Sequence, residues 1–364
     1  MSSDKTLKNL MLVPGLSGHE DRVRSQIRKE LDGIDLSFET DRFGNLIATM
    51  PGTTTDAPSV MLIAHMDQIG FFVRRIEPDG LIRVTRLGGI PDKVLPSTKV
   101  LLCTEGGKDL PAVFAVKSNH VTPESEKLKL HDHTEMYVDG GFESADVATA
   151  AGVKIGTPVV YAPSHTELAN RRICGTSIDD RAACVVLIAT AKELANSASH
   201  PEVHFVFSVQ EEFNVRGAYV AAQKLRPDIA VQVDVAIATD TADLVSLGDT
   251  RLGGGPVISM YNFHGRGTLN GLIPHPALVK QFEETAARND LAVQRAAIVG
   301  GLTDNAYVQF AGDGVACIDL GLPARYVHSP NEMCDLRDLE ALTGLLTAAL
   351  KELDGEFSLA REQE

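Results

Sequence analysis

The 364-residue chain contains no tryptophan, and aromatic residues make up only 5% of it. No indole is therefore on hand to stack against a sugar ring. Cysteine is scarce as well: the five (Cys103, Cys174, Cys184, Cys317, Cys334) are odd in number, widely spaced and form no C-x-x-C. That argues against a disulfide framework or a thiolate zinc site and suggests a reducing, cytoplasmic setting. Basic blocks are missing too, and a formal net charge of −15 speaks against nucleic acid or an anionic membrane as partner. No apolar run approaches the length that spans a bilayer, and Met1-Ser-Ser-Asp-Lys5 leads straight into an amphipathic segment without a signal-peptide core. What remains is an ordinary globular composition, 44% hydrophobic and 23% charged, long enough for two domains.

The pattern along the chain divides it. Helices are expected at Leu7–Met11 and His19–Leu31 around a Pro14-Gly-Leu-Ser-Gly18 turn, with Ser17 as cap and Glu20 as its capping-box partner. Val60-Met-Leu-Ile-Ala64 is continuously apolar, which suits a central strand covered on both faces. From about Gly70 short β segments alternate with Gly, Pro and Asp turns, the texture of a small antiparallel barrel or sandwich. An α/β rhythm returns after Arg172. The expected fold is α/β: a mixed-sheet, three-layer core made of 1–69 and 164–364, with a β-barrel-like domain inserted at 70–163.

Five apolar runs stop at acids or imidazoles. They end at His65 and Asp67, at Asp179-Asp180, at Glu211-Glu212, at Asp240 and at His328. Strand ends of an open α/β sheet are where such groups converge on a ligand. In His65-x-Asp67 the imidazole could bind a metal while the carboxylate takes the proton of its other nitrogen. Asp179 could equally be a helix cap, and each segment alone could be solvated charge. Together, two imidazoles and three carboxylates without a thiol are compatible with a dinuclear hydrolytic centre, for which zinc or cobalt, and manganese next, are the expected ions.

The sequence also resembles the M42 metallo-aminopeptidases, some of which carry a glucanase label. The likeness runs through Pro14-Gly-Leu-Ser-Gly-His-Glu20, Asp41-Arg-Phe-Gly-Asn45, Ala64-His-Met-Asp-Gln-Ile-Gly70, Tyr137-Val-Asp-Gly-Gly141, Asp179-Asp-Arg181, Gln210-Glu-Glu-Phe-Asn-Val-Arg-Gly217, Thr303-Asp304 and Arg325-Tyr-Val-His-Ser-Pro330. The resemblance implies that His65 and Asp240 hold one metal, Glu212 and His328 the other, and that Asp179 bridges them. It further implies Glu211 as general base and Asp67 as the residue orienting His65. Short peptides with a free N-terminus would be the substrates, and the inserted domain would make dimers that build a tetrahedral dodecamer.

The sequence departs from the pattern at Gln68, where a glutamate is usual; the missing charge is expected to alter metal affinity. His264 and Arg266 are candidates for the substrate pocket, and His120 for a neighbouring subunit's site. Two other classes compete: a two-metal deacylase or carboxypeptidase, and a catalytically idle assembly protein. Release of amino acids from short peptides separates the first, and an intact Glu211 speaks against the second. A glucanase is a poor fit, because a two-metal centre is not a pair of acid and nucleophile carboxylates.

Overall fold

The computed structural model describes residues 3–264 and 270–361. Four parallel strands form the centre of a twelve-stranded mixed sheet: Val203–Ser208, Val60–His65, Ile229–Ile237 and Ala316–Arg325. Parallel strands require crossovers, and the crossover helices cover both faces. All six residues of Val60–His65 are buried in consequence.

Alternation along that strand sorts its side chains into two cores. Val60, Leu62 and Ala64 join the cluster that holds the helices Ile178–Leu194 and Leu336–Lys351, whereas Met61 and Ile63 pack with Ala218 and Val308 from helices on the opposite face. The result is a three-layer α/β unit. Antiparallel strands flank it, Leu46–Met50 beside Val203–Ser208 and Glu332–Asp335 beside Ala316–Arg325.

A second unit is a closed six-stranded barrel, made in order of Gly70–Ile76, Ile82–Leu87, Val138–Asp139, Leu110–Phe114, Lys99–Leu102 and Pro158–Tyr161. The pairing of Phe71 with Val159 closes it. Inside, the rings of Phe71 and Phe114 meet edge-on at 4.9 Å, amid Val73, Val84, Val100 and Val138. Ser144 caps the short helix Ala145–Ala150, its hydroxyl accepting the Val147 N–H.

The expected capping box at Ser17 and Glu20 is not there. The helix runs Asp21–Glu30 with Glu20 itself at the cap position and no side-chain cap bond. Ser17 and Glu20 are both buried and turn toward the sheet, where polar partners take precedence over the cap: Ser17 Oγ donates to Asp67 Oδ2 at 2.5 Å, and Glu20 Oε1 accepts the N–H groups of Gly18 and Gln210.

Candidate metal centre

The parallel strands end together. His65 is the last residue of its strand and pairs with Ser208, after which the chain turns through Gln210 to Glu211 and Glu212. Gln210, Asn214 and Val215 all adopt positive φ, a conformation that costs a β-branched residue most. That tight turn aims both acids at the end of the sheet.

Asp179 is the hinge of the arrangement. It follows the strand Arg172–Gly175 and, like Asp180, has non-helical φ and ψ; among the described residues neither carboxylate accepts a helix N–H, so neither makes a capping bond. The Asp179 carboxylate faces both imidazoles: Oδ1 lies 3.0 Å from His65 Nε2 and Oδ2 lies 3.4 Å from His328 Nε2. Asp234 completes a triad with His65 and Asp179, and Glu212 completes another with Asp179 and His328; within each, the candidate donor atoms lie within 4.8 Å of one another. Glu211 Oε2 stands 3.9 Å from His65 Nε2.

The outer nitrogen of each imidazole is occupied. His65 Nδ1 lies 3.1 Å from the Asp67 carbonyl and 3.5 Å from its carboxylate, and His328 Nδ1 lies 3.1 Å from the Gly89 carbonyl. Carbonyl acceptors there hold a proton on Nδ1, so Nε2 is the nitrogen that faces the triads and would offer its lone pair to an ion. Asp67 serves a wider purpose, since its two oxygens also accept the N–H groups of Glu211 and Glu212 at 3.0 and 3.1 Å.

The charge balance is severe. Burial pushes the Glu211 carboxyl well above its usual range, and burial together with Asp179 does the same to Asp234. Burial opposes protonation of His65, yet hydrogen bonds to Asp179 and Asp67 outweigh it and hold the imidazole's pKa high. Glu212 is the main cause of the same shift in His328. Among the described residues lining the cavity of about 720 Å³ over this cluster, there is no Lys or Arg to neutralise the acids. Two imidazole Nε2 atoms and four carboxylates crowded without a fixed cation are a donor set that fits divalent ions.

Comparison with known proteins gives the family. The family model described as M42 glutamyl aminopeptidase matches residues 44–345. The chain belongs to the M42 aminopeptidase family. It is thus a peptide hydrolase of the aminopeptidase class. The lysyl aminopeptidase of Pyrococcus furiosus is 32% identical over 352 residues, covering 95% of this chain and 96% of that one. An aminopeptidase from the archaeon Desulfurococcus kamchatkensis superposes with a TM-score of 0.90 at 31% identity, covering 98% of this chain and 96% of the other. The TET1 peptidase of Pyrococcus horikoshii, described as able to assemble into a tetrahedron or a large octahedral shell, superposes at 0.86 with 30% identity, covering 97% and 100%.

Within this M42 chain, the structure brings together His65, Asp67, Asp179, Glu211, Glu212 and His328. It does not bring Asp240. That carboxylate is clamped by Arg325, Nε to Oδ1 and Nη2 to Oδ2 each at 2.7 Å, and also accepts the Leu252 N–H. A bidentate guanidinium uses the oxygens a metal would need. Asp234 stands in its place, buried on the face that alternation gives to Ala230 and Gln232. A carboxylate in the middle of the apolar run Ile229–Ile237 was the signal for it.

Gln68 is also not where its expected effect requires. Its Oε1 accepts the Gly15 N–H at 3.0 Å while its own N–H donates to the Gly15 carbonyl, so it ties down the N-terminal loop. His264 lines the cavity; Arg266 lies outside the described residues; His120 is exposed on the barrel. Two further groups occur among the described residues: His65 with Glu211 and Glu212 in the same centre, and Asp92, Asp132 and His133 in the barrel, where the Arg86 guanidinium already lies 3.6 Å from Asp92.

Proposed function

We propose that this aminopeptidase works with two divalent ions per chain, zinc or cobalt with manganese as a third choice, and trims short peptides from a free N-terminus. His65, Asp179 and Asp234 would hold one ion, and Asp179, Glu212 and His328 the other. The observation that carries the reading is the Asp179 carboxylate, whose two oxygens face the two imidazoles from opposite triads. Ions held there would supply a Lewis acid for the scissile carbonyl, make the attacking water more acidic and counter the burial and neighbouring acids that raise Glu211.

The protein's own groups do the rest. Glu211, beside His65 but in neither triad that shares Asp179, takes the proton of the attacking water and returns it to the departing amine. Its burial favours the second half of that cycle, since a carboxyl of raised pKa is a competent acid. Asp67 holds His65 through Nδ1 and fixes the backbone of both glutamates, keeping base and ligand in register. The acidic centre would attract the α-ammonium of a peptide, which selects ends over interior bonds.

Self-association through the barrel as dimers, and onward to a tetrahedral dodecamer, is supported by the assembly described for the TET1 peptidase and by exposed Val116, Val121, Leu128 and Leu130 on the barrel. Nucleic acid and membranes are not partners in this reading, consistent with the acidic balance. Among the described residues no helix is long and apolar enough to cross a membrane, and the five cysteines are free, as suits the cytoplasm. The test is to strip the protein with chelator, titrate back Zn, Co and Mn, and assay tri- and tetrapeptides with free and acetylated N-termini. Two ions per chain and cleavage of the free-ended peptides alone are expected. Full turnover in metal-free protein, or equal cleavage of acetylated peptides, would overturn it.

A further inference from the structure

Four of the five candidate ligands, His65, Glu212, Asp179 and His328, have their backbone N–H held by a buried carboxylate. Asp180 Oδ2 accepts the His65 N–H at 3.1 Å, and Asp67 accepts those of Glu211 and Glu212. The other side of the centre depends on one residue, Glu332. Its Oε2 accepts the Asp179 N–H at 3.1 Å and its Oε1 accepts the His328 N–H at 2.9 Å. Glu332 is 3% exposed and opens the strand Glu332–Asp335, paired with Gly175 of the strand that leads to Asp179.

The geometry is unusual in what it joins. Asp179 and His328 lie on separate connections, and the His328 loop carries two non-glycine residues at positive φ, Tyr326 at 59° and His328 at 65°. An extended backbone would point the imidazole elsewhere. A rigid carboxylate with an acceptor on each oxygen holds both N–H groups at one separation. Glutamine has the same shape but only one acceptor; its NH₂ would oppose one of the two N–H donors.

We propose that Glu332 is a positioning residue that sets the spacing between Asp179 and His328, and through them the affinity of the Asp179–Glu212–His328 triad for its ion. This rests on the two-ion reading above. The experiment is a Co²⁺ titration of chelator-stripped protein, followed by calorimetry and by the visible absorption of the bound ion. For Glu332→Gln, affinity at one of the two sites should fall about 10–100-fold, the range for groups that orient metal ligands. Its absorption bands should shift, while far-UV dichroism and elution volume stay those of the parent. Glu332→Asp keeps both oxygens on a shorter arm, and should lose less affinity than the Gln variant.

Parent affinities and parent bands in a folded Glu332→Gln protein would overturn the proposal. If that variant fails to fold, Glu332→Asp decides, because parent affinity and bands there would show that the span does not matter. A parent protein that takes up fewer than two ions would instead remove the two-ion reading, and the inference with it.

Discussion

The two halves of the centre are built differently. His65 and Asp234 stand on central parallel strands, with His65 1% and Asp234 8% exposed. His328 sits on a loop at positive φ, its side chain 32% exposed, and its Nδ1 partner is Gly89, a residue of the barrel unit. One half is fixed by the core that folds the protein. The other is assembled from a loop, a distant carboxylate and a second unit. Placement on strands makes the first half the more rigid site, and the loop half the one that substitutions should loosen first.

The largest effect expected is chemical and belongs to neither half. Glu211→Gln should retain both ions and lose about 10²–10⁴-fold in kcat, because an amide cannot carry the proton. Metal content and kcat measured together check this; recovery of activity on adding metal would make Glu211 a ligand.

Next comes the loop half. A Cβ on Gly89 would lie 2.9 Å from His328 Nδ1, closer than real Cβ contacts come, and 3.2 Å from Cε1, tighter than most. Gly89→Ala should therefore push the imidazole aside and weaken one ion about 10–100-fold while the other titrates normally. Loss of both ions equally would mean that the halves are not separable.

A smaller effect is expected at Asp240, which lies outside both. Arg325 holds its carboxyl below the usual range, so its contribution to stability is present above the unfolded value and lost as pH falls through the folded one. Asp240→Asn should cost about 2 kcal/mol near neutrality, a difference from the parent that shrinks below about pH 4, and should leave metal content unchanged. Melting curves across pH and elemental analysis test both parts. Smallest of all is Gln68→Glu. Since the buried side chain bonds Gly15 rather than either triad, and glutamate keeps that acceptor, ion affinities should change far less than the about 10–100-fold expected for groups that orient metal ligands.

The pattern of what the chain disclosed follows the same division. Histidines and acids at strand ends are conspicuous, so His65, Asp179, Glu211, Glu212 and His328 stood out, and the structure brings their side chains together. The strand-end rule misled at Asp240, where a charge at the end of an apolar run satisfies an arginine. It also hid Asp234, whose neighbours are apolar on both sides and read as continuous strand. Ser17 and Glu20 have the spacing of a capping box, and only the tertiary placement of Asp67 and Gln210 redirects them. Glu332 and Gly89 carry no local signal at all, because their roles consist of hydrogen bonds to residues far away in sequence. Barrel texture was visible from Gly70 onward; closure through Phe71 and Val159 is a long-range pairing that no window of sequence contains.

Asp179 is the shared member of both halves, and its neutral replacement is the most direct test. Stripped Asp179→Asn protein should be titrated with Co²⁺ beside the parent, with His328→Ala and Asp234→Asn as single-half references. Two ions are expected for the parent, one each for the references at the same concentrations, and weakened binding at both sites for Asp179→Asn. An Asp179→Asn protein that binds two ions with parent affinity would contradict that shared role.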